Sequence, residues 1–182
     1  MVSLQTPVCD FGWKAPDFDL PGVDGRRHSL ASSMGEKGLL VMFICNHCPY
    51  VKAITKRLVN DTRELLRHGV NTIAIMSNDP SDYPEDSFEN MKIVSEREGF
   101  PFPYVIDESQ AIARAYGAVC TPDFFGFNSN FELQYRGRFD ASRKETAEES
   151  SRDLFRAMVQ VAGTGGGPED QIPGMGCSIK WK

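Results

Sequence analysis

The sequence has no apolar run approaching the ~18 residues of a membrane-spanning helix, and no run of Lys or Arg longer than two. The first absence leaves no ground for expecting a membrane partner. The second, with 20 basic residues against 25 acidic and a formal net charge of −5, argues against nucleic acid, because phosphate backbones are held by clustered positive charge. The opening stretch, MVSLQTPVCDFGWKAPDF, lacks both a basic n-region and an apolar h-region. No secretory signal is therefore expected, and the cytoplasm is the default compartment. An internal repeat is also missing. The five cysteines are an odd number, which argues against a disulfide framework, and in a reducing compartment they should be mostly free.

What remains is ordinary globular composition, 41% hydrophobic and 25% charged over 182 residues, enough for one domain with a sizeable core. The organising stretch is Leu39 to Tyr50, LLVMFICNHCPY. Six apolar residues, Leu39 to Ile44, read as a strand covered on both faces. They end at Cys45-Asn46-His47-Cys48, and Pro49 begins a helix reaching Arg67, with Val51, Ile54, Leu58 and Leu65 on one stripe. Two thiols at a strand exit, beside the unpaired N–H groups of a helix start, are placed where a thiolate is stabilised.

Around this centre the order is β-β-β-α-β-α-β-α-β-β-α. Residues 1–15 read as irregular. Ala15–Leu20 and Arg26–Leu30 form a hairpin about Pro21–Gly25, and Ser32–Gly38 is a connection. Val70–Met76 is a core strand, and Ser77–Pro84 a turn-rich loop; the acidic stretch Asn78–Asp86 after the core strand is a candidate rim of the site, with plain solvated charge as the favoured reading. Glu85–Glu98 is a helix stopped by Gly99, and Tyr104–Ile106 a short strand. Asp107 caps a helix over Glu108–Tyr116. Pro122–Asn128 and Phe131–Arg138 form a late hairpin. Ser142–Glu145 has the form of a capping box opening a helix to about Ala162. The expected fold is α/β: a central mixed sheet flanked by helices, with an N-terminal hairpin, a domain over residues 1–162 and a Gly/Pro-rich tail over 163–182 packed on it.

Several chemistries compete for the cysteine pair. Half of a zinc site would need two further ligands, and Cys9, Cys120, Cys177, His28 and His68 are scattered without a second close pair. Two inert core cysteines would make odd company for Asn46 and His47. Redox chemistry is the reading the spacing favours, with no metal and no cofactor.

Together these features resemble the thioredoxin superfamily: a CxxC at a strand end, then Thr121-Pro122 leading into a hairpin and a last helix. GWKAPDFDLPGVDGRRHSL resembles the opening of its alkyl hydroperoxide reductase/thiol-specific antioxidant branch, the peroxiredoxins. CNHCPYV, VCTPDF and GCSIKW resemble the CxxC-bearing redoxins within that branch. The resemblance implies a thioredoxin-like fold, a cis-proline at Pro122 facing the pair, and backbone groups of Thr121 offered to an incoming peptide or thiol. It also implies His47 as a group that stabilises the reactive thiolate, against the alternative of an exposed loop histidine.

Departures from the parent patterns are informative. The strand carries no buried carboxylate, so proton relay falls to water or His47. With Cys48 aligned as a peroxidatic residue, Cys45 replaces the expected Thr, and no arginine lies between Arg114 and Arg136 to polarise a peroxide. The superfamily favours Cys45 as nucleophile with Cys48 resolving. Pro49 leaves the matter open, since a proline at the first helical position would bring Cys48 to the cap. Cys120 and Cys177 are candidate third thiols; burial as a small hydrophobe is favoured for the first, and docking of the tail for the second.

The expected function is thiol–disulfide oxidoreduction through Cys45 and Cys48, on a protein or small-molecule disulfide, with an external reductant closing the cycle. The alternatives are a thiol peroxidase acting on hydroperoxides through Cys48 with Cys45 resolving, and a zinc or binding protein on the same scaffold.

Overall fold

The computed structural model describes residues 2–144 and 151–182. Its strands are β1 (Ser3–Gln5), β2 (Asp19–Pro21), β3 (Arg27–Ser29), β4 (Gly38–Phe43), β5 (Val70–Met76), β6 (Tyr104–Ile106), β7 (Cys120–Thr121), β8 (Asp123–Asn128), β9 (Leu133–Tyr135) and β10 (Met175–Ser178). Its helices are α1 (Leu30–Ser33), α2 (Pro49–Arg67), α3 (Phe88–Glu98), α4 (Ala111–Tyr116) and α5 (Asp153–Thr164), with a 3-10 turn at Pro84–Asp86.

The central sheet has the order β6-β5-β4-β8-β9. β4–β5 and β5–β6 are parallel, as their helical crossovers require, while β8 runs antiparallel to β4 and β9 to β8. Strand β4 lies at the centre and is buried along its whole length. Its alternate residues face two cores: Leu40, Met42 and Ile44 pack with α2, α3 and α5. Leu39, Val41 and Phe43 pack with Tyr116 of α4, Leu30 and Phe18. The two-faced apolar run is thus a central strand of a mixed sheet.

Helix α2 has the expected bounds, with Pro49 at its first position and Cys48 as N-cap. Elsewhere boundaries shift. The α3 region divides into the 3-10 turn and a helix capped by Ser87. Helix α4 starts three residues late because Asp107 is turned inward: it accepts from the Ser77 hydroxyl and the Ala113 N–H, while Gln110 takes a left-handed conformation (φ 62°) before the first turn. Residues 142–144 are irregular, Glu145 lies outside the described residues, and α5 begins at Asp153, where Leu154, Met158 and Val161 form its buried stripe.

Two elements depart from the expected irregular ends. Ser3–Gln5 and Met175–Ser178 are strands, and β10 lies antiparallel between β1 and β7. Cys177 is thereby set opposite Thr121. Gly176 makes the approach achievable, since a side chain there would run into the Thr121 carbonyl and Pro122.

Candidate active site

The end of β4, the cap of α2, the Thr121-Pro122 turn and β10 converge on one cluster of sulfur atoms. The Thr121–Pro122 bond is cis. Cys45, Cys48 and Cys177 are all buried. The Cys45 thiol lies 3.2 Å from Thr121 Oγ1 and 3.7 Å from His47 Nδ1. Cys48 Sγ is 3.0 Å from the Thr121 carbonyl and 3.0 Å from Cys177 Sγ.

Electrostatics put the cluster's negative charge on Cys48. A hydrogen bond from the Cys45 thiol is the largest cause; with help from the Cys177 thiol and the backbone N–H groups of Val51 and Cys177 it outweighs burial and pulls the Cys48 pKa down to about 5. Its place at the N-cap of α2 acts in the same direction. Cys45 moves the opposite way, raised well above 9 by burial, by its bond to Cys48 and by the charge of Asp86. Burial and Cys48 push Cys177 up to about 12. The pair Cys45–Cys48 therefore holds one proton between two sulfurs, a coupled unit rather than two independent thiols.

Asp86 is the residue that sequence reasoning missed. The sequence reads it as one of several solvated acidic residues, yet its side chain is fully buried and accepts from His47 Nδ1 at 2.6 Å. It also accepts from the N–H groups of Asn46 and His47 and from Asn78 Nδ2. Burial opposes its charge, but the His47 and Asn78 hydrogen bonds hold its pKa below the usual value. An ionised carboxylate only accepts, so His47 Nδ1 carries the proton. His47 stacks on Tyr83 with ring centroids 4.2 Å apart and is buried, not an exposed loop residue.

Among the described residues, Cys45, His47 and Asp86 are the group whose ligand atoms converge, all within 4.8 Å. The 2.6 Å separation of His47 Nδ1 from Asp86 is that of a hydrogen bond. Tetrahedral ligands at the ~2.0–2.1 Å of a zinc site would stand roughly 3.3 Å apart.

The remaining expected residues divide. Thr121 is in the cluster, but the backbone that the resemblance offers to an incoming peptide is already paired with β10. Cys120 is fully buried, and its thiol approaches only the Pro122 carbonyl, at 3.5 Å; burial drives its pKa far up. Arg136 is held by Asp123 and the Gly117 carbonyl. A cleft of about 630 Å³ between α2 and α3 reaches the site, lined by Cys45, Asn46, Lys52, Lys56 and Phe100 among others.

A CxxC at the end of the central strand, facing a cis-proline across a mixed sheet, defines a thioredoxin-like redox protein. The chain belongs to the AhpC/TSA family, which it matches over residues 11–140. It is 30% identical over 126 residues to the thiol-disulfide oxidoreductase ResA of Geobacillus thermodenitrificans, a match spanning 68% of this chain and 66% of that protein. The crystal structure of an uncharacterized conserved protein from Geobacillus kaustophilus superposes with a TM-score of 0.94 at 42% identity, covering 100% of this chain and 97% of that one. The thioredoxin domain of a thiol-disulfide oxidoreductase from Bacteroides vulgatus shares the fold, with a TM-score of 0.64 at 17% identity over 84% of this chain and 97% of that one.

Proposed function

We propose that this protein is a thiol–disulfide oxidoreductase working through Cys45 and Cys48. The observation that carries the reading is the placement of the pair: Cys45 at the exit of β4 and Cys48 at the cap of α2 both lie against the cis Thr121–Pro122 turn, 3.2 Å from the Thr121 hydroxyl and 3.0 Å from its carbonyl respectively. Cys45 lines the cleft. Passage of its proton to Cys48 makes Cys45 the attacking thiolate. Attack on a substrate disulfide breaks that S–S bond, expels one substrate thiolate and leaves a mixed disulfide on Cys45. Cys48, giving up the proton, then attacks Cys45 Sγ, releases the second substrate thiol and closes a Cys45–Cys48 disulfide. Two electrons have passed to the substrate, and an external dithiol reductant restores the pair.

The cleft points to the substrate class. Arg57 is turned to Asp140 and Ser142, and Arg97 pairs with Glu98. Lys52 and Lys56 give the opening a positive rim, which suits an anionic disulfide, small or peptidic. The ResA relative supports disulfide exchange; the odd cysteine count argues against a disulfide framework, the cytoplasm is the location we assign, and fractionation of the source cells tests it.

The acidity of Cys48 favours one second reading, a thiol peroxidase. Cys48 would attack the peroxide oxygen, and Cys45 would condense with the sulfenic acid, losing water. Insulin-disulfide reduction and peroxide consumption, measured side by side on wild type, Cys45→Ser and Cys48→Ser, separate the two. Disulfide exchange requires insulin reduction lost in both variants and a mixed disulfide trapped on Cys45 in Cys48→Ser. Peroxide turnover without insulin reduction would select the peroxidase.

A further inference from the structure

The exchange described above leaves Cys177 without a role, yet its sulfur is 3.0 Å from Cys48 Sγ. The placement is built rather than incidental. Cys177 sits in β10, the middle strand of a three-stranded antiparallel sheet, paired on one side with Ser3 and on the other with Thr121. The chain beyond it is fixed as well: Lys180 N–H donates to Asn78 Oδ1, its carbonyl accepts from Gln110 Nε2, and Arg114 covers the Trp181 ring. Strand β10 thus occupies the backbone beside the cis-proline, where an external peptide would pair, and presents a cysteine there.

We propose that Cys177 is a third redox thiol, which takes over Cys48 from the Cys45–Cys48 disulfide so that the disulfide comes to rest inside the fold as Cys48–Cys177. The proposal rests on disulfide exchange at Cys45–Cys48. In the step, Cys177 as thiolate attacks Cys48 Sγ. The Cys45–Cys48 bond breaks, the Cys48–Cys177 bond forms, and Cys45 leaves as a thiolate. The proton lost by Cys177 ends on Cys45, and no electron enters or leaves the protein. A disulfide of ~2.05 Å asks the two sulfurs to close by roughly 1 Å.

The reduced site holds this step back, and oxidation releases it. Besides burial, what opposes a Cys177 thiolate is Cys48, through its hydrogen bond and its charge, while Lys180 and Lys144 favour it. Once Cys48 is bonded to Cys45 its charge is gone, and the two lysines act on Cys177 without that opposition. On the other side of the bond, the Thr121 hydroxyl lies 3.2 Å from Cys45 Sγ, ready to donate to the departing thiolate. The oxidised protein then regains a thiol on the cleft while its disulfide lies beneath β10.

The test follows disulfides directly. The full-length reduced protein is oxidised with excess oxidised dithiothreitol, quenched in acid at intervals, alkylated and mapped by peptide mass spectrometry. In wild type, a Cys45–Cys48 peptide should appear first and a Cys48–Cys177 peptide grow at its expense. Cys45→Ser should lose two of its four remaining thiols to an intramolecular Cys48–Cys177 bond. Cys177→Ser and Cys177→Ala should both stop at Cys45–Cys48. A wild type that stays at Cys45–Cys48, or a Cys45→Ser protein that keeps all four thiols or forms only intermolecular bonds, overturns the handover with the exchange intact. A wild type that never shows Cys45–Cys48 overturns the exchange reading and the handover with it.

Discussion

Asp86 and His47 are joined by a 2.6 Å hydrogen bond between side chains that are both buried. The same carboxylate accepts from two successive backbone N–H groups of the CNHC segment, so it fixes the ring and the loop carrying both thiols together. Because Asn78 donates to Asp86 and accepts from the Lys180 N–H, the bond also ties the thiol loop to the segment following β10.

Asp86→Asn keeps the shape and removes the charge. Breaking a buried, charge-assisted network of this kind should cost about 2–4 kcal/mol at neutral pH. The folded pKa of Asp86 is depressed, so its contribution is present above the unfolded carboxylate pKa of 3.8 and is lost as pH falls through the folded value. Urea denaturation should therefore show wild type and Asp86→Asn well separated at pH 7 and converging below pH ~4. An equal gap at both pH values would show that packing, not charge, is what the substitution removes.

Cys48 should be the thiolate seen by ultraviolet absorbance of the reduced protein. A step at 240 nm centred at about pH 5 is expected in wild type and absent in Cys48→Ser. The Cys45 thiol is the largest cause of the shift, so Cys45→Ala should move the step upward. A wild-type transition near 9 would place the proton on Cys48 and undo the assignment of charge.

How far these residues were legible in the sequence follows from the range of the forces that place them. Pro49 acts within one helical turn, so a cap at Cys48 could be read as one of two alternatives from the local sequence alone. Strand β4 announced itself because burial on both faces leaves an unbroken apolar run. Asp86 could not be read, since Asp79, Asp82, Glu85 and Asp86 are equivalent acidic residues of one loop. The partner that selects one of them, His47, is 39 residues away. Strand β10 was hidden for a related reason: MGCS has neither length nor alternation, and becomes a strand only between β1 and β7. Its single local sign was Gly176 beside a cysteine.

Gly176→Ala tests that sign. A Cβ at this position meets the Thr121 carbonyl and the Pro122 nitrogen, backbone atoms that cannot swing aside. Moving β10 to relieve the overlap should cost roughly 1–3 kcal/mol, a fall in Tm of about 2–12 °C for a chain of this size. The same movement draws Cys177 away from Cys48. In a Cys45→Ser background it should slow formation of the Cys48–Cys177 bond, read by thiol counting against time. An unchanged rate would mean that β10 does not position Cys177.

Arg136 and Asp123 form a buried pair, 3.1 Å apart, and the Arg136 guanidinium also donates to the Gly117 carbonyl. Arg136→Met preserves bulk and strands the carboxylate, which should cost about 3–5 kcal/mol at pH 7. Burial already raises the Asp123 pKa, and removal of the guanidinium raises it further. Protonation then relieves the unpaired charge, so the loss should shrink as the pH is lowered from 7 toward 4. Peroxide or disulfide turnover per folded molecule should stay within about twofold of wild type; a collapse of turnover in protein that remains folded would give Arg136 a part in the chemistry.

The proposed anionic substrate class predicts that Lys52 and Lys56 select which disulfides reach Cys45. Both are exposed residues of α2 lining the cleft, so each acts on an approaching charge through solvent, and salt within a Debye length of ~10 Å at 0.1 M weakens the effect. The double variant Lys52→Glu/Lys56→Glu should lower kcat/KM for oxidised glutathione, which is anionic, by roughly tenfold at low ionic strength. Cystamine, which is cationic, should gain rather than lose. Raising the salt to about 0.5 M should bring the variant and wild type together for both substrates, because steering acts through the long-range field while the sulfur chemistry is local. Equal losses for the two disulfides would show that the lysines shape the cleft instead of selecting charge, and the anionic substrate class would be withdrawn.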